Sequence, residues 1–135
     1  GESGCWTPSG VALSAAEQGG QWQLDGKGSY VLHGQNAQLL IVLANTADGM
    51  GAFIVAHDAN GVSIDPLPTF DHTLRLAAVD FQHVAAERID AAVPVWDAAR
   101  QAMDLALVAL AGEQAGGSAA ALRGGWRCRP CPSCA

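Results

Sequence analysis

The sequence predicts a mainly β chain with an appended α segment, a small antiparallel β-barrel or sandwich followed by one long helix. Three observations predict it. Residues 10 to 84 carry period-2 apolar signals broken by Gly, Asn, Asp and Pro, as short antiparallel strands require. The period turns helical after Pro94. Half of the 135 residues are apolar, which is enough for a real core and argues against wholesale disorder.

Val11, Leu13 and Ala15 alternate with Ala12, Ser14 and Ala16, giving the first strand signal. Gln21 to Leu24 alternate as well and meet Asp25-Gly26, a dipeptide suited to a tight hairpin because Gly accepts φ > 0. A second strand is expected over Ser29 to Leu32, then a short polar loop, then the apolar run Leu39 to Leu43. Val62, Ile64 and Leu67 lie around Pro66 and Pro68, which mark a sheet edge or a strand end. Leu74, Leu76 and Ala78, interleaved with Arg75, Ala77 and Val79, give the last long strand.

Pro94 fits a first helical turn, where its missing N–H has no partner to lose. Trp96, Ala99, Met103, Ala106 and Leu110 then share one helical face. From Leu105 to Ala111 the segment is apolar all round, as in a helix buried between other helices. This chain does not supply those neighbours, so a sticky helix is expected unless a partner covers it. Gly124-Gly125, Pro130 and Pro132 forbid its continuation. The expected division is 1–90 for the β-domain, 91–123 for the helix and 124–135 for an irregular Cys-rich tail.

A net charge of -6 argues against a phosphate-backbone partner, which needs clustered Lys and Arg. Gly1 opens the chain without a Met, a basic segment or an apolar leader, so no secretory signal is visible and a piece of something longer is expected. The apolar run Leu105 to Gly112 ends at Glu113, short of a bilayer's thickness. A soluble, cytoplasmic protein with no membrane and no nucleic-acid partner is the expectation. Cys128, Cys131 and Cys134 form C-x-x-C-x-x-C, but zinc wants four ligands and the remaining Cys5 is at the other end. No metal ligand is assigned. His33, His57, His72 and His83 are scattered and expected to face solvent.

The stretch Gln21 to Ala44, with Tyr30-Val31-Leu32-His33-Gly34 at its centre, resembles the start of the middle β-domain of flavin-dependent acyl-CoA dehydrogenases. Gly51 to Val55, the turn Asn60-Gly61-Val62 and the closing strands Thr69 to Val84 continue the likeness, including a Phe-x-x-Val signature at Phe81 and Val84. Ala109 to Gly117 is similar to the first helix of that family's C-terminal α-domain. The resemblance covers roughly residues 2 to 122; each motif is short, and the specificity lies in their order. It implies an FAD cofactor, an acyl-CoA substrate oxidised to the trans-2-enoyl-CoA, an electron-transfer flavoprotein or similar acceptor, and a homo- or hetero-oligomer.

By the same resemblance Tyr30 stands against the flavin ring. Leu32 occupies a position where the family often has Thr, leaving only a backbone N–H to donate. Thr7 is the nearest hydroxyl to the flavin pyrophosphate, in a loop that lacks the family's Gly-Ser-Asp. The family's catalytic Glu belongs to a later region, so no catalytic residue is assigned and the chain alone is expected to be inactive. The alternative is a non-catalytic structural subunit of a heteromeric dehydrogenase.

Overall fold

The computed structural model describes residues 6–71, 73–90 and 92–125. Its elements are a 3-10 turn (Pro8–Gly10), β1 (Ser14–Gln18), β2 (Gln21–Leu32), β3 (Leu39–Thr46), β4 (Gly49–Ala56), β5 (Val62–Leu67), β6 (Leu76–Arg88) and α1 (Val95–Gly125). Strands β2, β1, β3, β4 and β6 follow one another in a ring that β2–β6 pairing closes, and β5 flanks β6. The expected small barrel is therefore a closed one. All pairings are antiparallel except β1 with β3, which run parallel through the single pair Ser14–Asn45. Asn45 strengthens that seam: its backbone N–H donates to Leu13 at 2.9 Å and its amide Nδ2 to Val11 at 2.8 Å.

The hairpin expected at Asp25-Gly26 is not there. β2 runs unbroken from Gln21 to Leu32, and the tight turn lies six residues earlier, at Gly19-Gly20 between β1 and β2. Both glycines have positive φ (60° and 80°), the requirement of a two-residue turn that matches strand twist. Gly26 serves instead at a bulge, with φ 124° and its Cα facing the Leu13 backbone. The dipeptide's turn preference is overridden because β2 has a long partner, β6, on which to stay extended.

Period 2 holds where the ladder is regular. Leu40, Val42 and Ala44 of β3 and Phe53 and Val55 of β4 point inward and are buried. On β6 the inward set is Ala77, Val79 and Phe81, and then Val84, because β2 advances from Leu24 to Gly26 while β6 goes from Val84 to Phe81. One extra β6 residue changes which parity faces the core. Asp25 holds this bulge: its Oδ1 accepts the His83 backbone N–H at 2.9 Å, and His83 Nδ1 lies 3.1 Å from Oδ2. His83 has φ 51°, and its side chain remains largely exposed.

Phe53 is fully buried at the centre, 5.4 Å from the tilted Trp22 ring. Burial of such a ring contributes roughly 2–3 kcal/mol. At the rim, Arg88 stacks over Trp22 at 4.9 Å and pairs with Asp48 at 3.2 Å, tying β2, β6 and the β3–β4 turn together.

Residues up to Trp96 and residues from Asp97 onward are two compact units. Helix α1 has Asp97 in its first turn and Arg123 in its last, each matching the helix dipole. Of the face expected to be apolar, Trp96, Ala99 and Met103 are half-buried, while Ala106 and Leu110 are exposed. Leu105, Leu107, Val108 and Leu122 are exposed too, so the helix is as uncovered as its composition implied. By length and composition Val95–Arg123 also meets the requirement of a bilayer span. Counting only the run Leu105 to Gly112 missed this, because Ala and Gly extend the weakly apolar character well beyond the large residues.

Candidate functional site

Two places on the strand domain gather chemistry-bearing side chains, at opposite ends of β2. The first is its C-terminal end. Gly28 pairs with Val79 and Val31 with Ala77, so β2 spends three steps where β6 spends two. In a regular strand continuing Leu24, Gly26 and Gly28, Tyr30 would point into the barrel. The bulge turns Val31 inward instead, and Tyr30, at φ 61°, is left 67% exposed. A bulky residue in the left-handed region is costly, and such residues concentrate at functional positions. Leu32, paired with Leu76, is 55% exposed beside it.

A loop from Thr69 to Arg75 is tied to this end of β2. The His33 backbone N–H donates to the Arg75 carbonyl at 2.7 Å. Asp71 organises the loop: its Oδ1 accepts from the Thr73 backbone N–H at 2.8 Å and from the Thr73 hydroxyl at 2.6 Å. The Thr73 hydroxyl, followed by its backbone N–H, holds the Asp71 carboxyl below its ordinary value. Phe70 stands fully exposed, and Leu74 is exposed as well. His72, one of the histidines expected to face solvent, lies outside the described residues. Phe70 and Leu74 were missed, since only the β2–β6 register and the His33–Arg75 bond tie their loop to the end of β2 that carries Tyr30.

Thr7 lies in the segment before β1. Its hydroxyl is 3.0 Å from that of Ser9, and the 3-10 turn that follows consumes the Gly10 and Val11 amides, bonded to the carbonyls of Thr7 and Pro8. Among the described residues no hydrogen bond joins Thr7 to Tyr30 or Leu32. The structure thus brings Tyr30 and Leu32 together and leaves Thr7 on a separate segment.

The second place is the rim cleft of about 560 Å³ lined by Glu17, Trp22, Asn45, Thr46, Asp48 and Arg88. Its polar groups are engaged with one another. The Thr46 hydroxyl and then the Arg88 guanidinium hold the exposed Asp48 carboxyl below its ordinary value. Arg88 is clamped between Trp22 and Asp48, and Asn45 is spent on Val11. Such a cluster closes a barrel end, with its Arg88, Asp48, Thr46 and Asn45 side chains already bonded within the protein. Among the described residues no group of three or more His, Cys, Asp or Glu side chains could hold a metal ion. The C-x-x-C-x-x-C run lies outside the described residues.

The bulged end of β2 is therefore the candidate site. Its features are an exposed ring in a strained backbone, an exposed aliphatic neighbour and a loop locked alongside. It can present a flat apolar edge to a planar ligand. An exposed ring beside an exposed aliphatic side chain is a surface on which a planar aromatic ligand can lie. At Thr7 the local turn takes up the Gly10 and Val11 amides, and the Thr7–Ser9 hydroxyl pair with the Thr7 and Ser9 backbone N–H groups are the donors that segment could offer a pyrophosphate.

No family model and no curated protein matches the chain by sequence. Solved structures do match. A variant of the Tcur3481–Tcur3483 steroid ACAD is 29% identical with a TM-score of 0.52, over 56% of this chain and 21% of that one. A glutaryl-CoA dehydrogenase from Mycobacterium smegmatis, in complex with FADH2, is 23% identical with a TM-score of 0.55, over 58% and 21%. An acyl-CoA dehydrogenase from Slackia heliotrinireducens is 21% identical with a TM-score of 0.56, over 62% and 24%. The latter two speak for the fold alone. This chain thus spans about a fifth to a quarter of the length of the proteins it matches.

Proposed function

We propose that the chain belongs, by its strand domain, to the acyl-CoA dehydrogenase family and forms part of an FAD-dependent enzyme oxidising an acyl-CoA thioester to the trans-2-enoyl-CoA. The observation that carries this reading is Tyr30. The left-handed bulge brings Val31 against the core and takes the larger Tyr30 ring out of the barrel and into solvent. A planar ligand laid on that ring would recover the lost burial. When bound, FAD supplies the hydride acceptor. Tyr30 gives it an aromatic surface, and Leu32 excludes water beside that surface. The Leu32 backbone N–H is the one donor that position can offer a flavin, because the leucine side chain has none.

No described side chain is placed to remove the substrate's α-proton, so these 135 residues alone are expected to be inactive. The test is to purify the chain, titrate it with FAD and follow flavin fluorescence, with Tyr30→Ala as the comparison. Saturable quenching that Tyr30→Ala abolishes supports the reading. Equal quenching by both proteins, or none by either, removes Tyr30 from the site. Robust acyl-CoA turnover by the chain alone would defeat the claim that it lacks a base.

A second reading has its own observation. The Gly10 and Val11 amides are consumed in a local turn and Leu32 carries no hydroxyl, both of which weaken a flavin site. A non-catalytic subunit of a heteromeric acyl-CoA dehydrogenase would tolerate that weakening. Co-purification with a flavin-loaded homologue, together with no FAD binding by this chain, separates the two readings.

A further inference from the structure

The chain has three asparagines, Asn36, Asn45 and Asn60, and only Asn60 precedes a glycine. Asn60-Gly61 forms the middle of the turn that joins β4 to β5, closed by the Val62 N–H donating to the Ala59 carbonyl at 3.1 Å. Gly61, at φ 91°, takes the third position of that turn, which needs a left-handed residue. Both residues are exposed, and among the described residues no hydrogen bond engages the Asn60 side chain or the Gly61 N–H. The other Asx-Gly steps are restrained. Asp25, before Gly26, is bonded to the His83 N–H and ring, and Asp48, before Gly49, to Thr46 and Arg88. A carboxylate is also a far poorer electrophile than a neutral amide. Asn45 donates its amide to Val11 and precedes the β-branched Thr46; Asn36 precedes Ala37. Each of those two following residues sets a Cβ beside the nitrogen that would have to attack.

We propose that Asn60 is a site of spontaneous covalent modification, through a succinimide formed with Gly61. The Gly61 backbone nitrogen attacks Asn60 Cγ and forms an N–Cγ bond. The Cγ–Nδ2 bond breaks, and the side-chain nitrogen leaves as ammonia with the proton from Gly61. Reaching that geometry means rotating Asn60, which disturbs only the exposed Val62–Ala59 turn bond, and no Cβ at residue 61 obstructs the approach. Water then opens the ring. Attack at Cγ leaves an aspartate at this position, and attack at the main-chain carbonyl leaves an isoaspartate whose chain runs through Cβ. In sum an amide and a water become a carboxylate and an ammonium, with nothing oxidised or reduced. Either product adds a negative charge to a chain already at -6. The isoaspartyl form also lengthens the main chain by one methylene inside the turn. The Gly61 carbonyl accepts the Gln82 N–H at 3.0 Å, next to the Val62–Phe81 pair. The added methylene draws that carbonyl away from Gln82 and releases the start of β5 from β6.

Ageing the full chain for several weeks in heavy-oxygen water at neutral pH, then mapping its peptides by mass, tests this. Heavy oxygen is expected at residue 60, as a mixture of aspartate and isoaspartate that electron-transfer fragmentation tells apart, with Asn36 and Asn45 unlabelled. An isoaspartyl methyltransferase supplied with S-adenosylmethionine should methylate the aged chain and not the fresh one. Asn60→Gln, whose longer side chain closes a ring far more slowly, should lose both the label and the methylation. Amide exchange at Val62 and Gln82 is expected to rise with ageing in the wild type and to stay constant in Asn60→Gln. An unlabelled residue 60, or label shared equally with Asn36 or Asn45, overturns the proposal. Label and methylation that persist in Asn60→Gln overturn it too. Unchanged exchange in an aged, isoaspartyl-bearing chain overturns the release of β5.

Discussion

Tyr30 combines two physical facts that pull in opposite directions. Its φ of 61° costs about 1–2 kcal/mol for a residue with a Cβ, while its exposed ring is the feature a flavin would use. Tyr30→Gly should therefore leave the fold as stable as before, or more stable by about 1 kcal/mol, while lowering FAD affinity; urea unfolding and flavin fluorescence read the two effects separately. Gly61 is the opposite case. Its φ is 91°, and an added Cβ would collide with the Gln82 carbonyl, beside which Gln82 donates its N–H to Gly61 at 3.0 Å. Gly61→Ala should cost about 2 kcal/mol or more of stability, read as a lower urea midpoint. Asp48 titrates below its ordinary 3.8 because Thr46 and then Arg88 stabilise the carboxylate. Its contribution is present above the unfolded value and lost as pH falls through the folded one. Asp48→Asn should thus flatten the loss of stability below about pH 4, measured as urea midpoints across an acid series.

At the scale of elements, the two bulges in the β2–β6 pair decide what the barrel shows to its surroundings. The first, held by Asp25, moves Val84 into the core; the second moves Tyr30 out of it. Asp25→Ala leaves the exposed His83 N–H without its acceptor and should cost about 0.5–1.5 kcal/mol. If the bulge then slips, amide exchange at Gln82, His83 and Val84 will rise more than at β3 or β4. Unchanged exchange at these three amides would show that the ladder alone fixes the bulge. None of this was readable from the chain, because a bulge is a property of two strands in register. Alternation holds in β3 and β4, where Leu40, Val42, Phe53 and Val55 are buried. It fails in β2, where the Asp25-Gly26 turn signal competed with a long partner strand and lost.

For the molecule as a whole, the strand domain and α1 differ in what holds them. The barrel has a buried core running from Ala15 to Val84, whereas α1 buries none of its described residues. A chain ending at Trp96 is therefore expected to unfold cooperatively with nearly the urea midpoint of the full chain. A broad, non-cooperative transition would show that the barrel depends on α1. The likeness to solved acyl-CoA dehydrogenases covers 56% to 62% of this chain.

Composition, the change of period at Pro94 and the order of short motifs were enough for the sequence to specify a β-domain, a long uncovered helix and the family they resemble. Those signals are local, and local chemistry alone sets them: apolar alternation, a proline without an N–H, glycines at turns. Ring closure through β2 and β6, the parallel β1–β3 seam, the Arg88 clamp and the outward rotation of Tyr30 came only with the tertiary structure. Each depends on which residues of distant strands stand opposite one another, and a register is a relation between segments that neither segment encodes by itself.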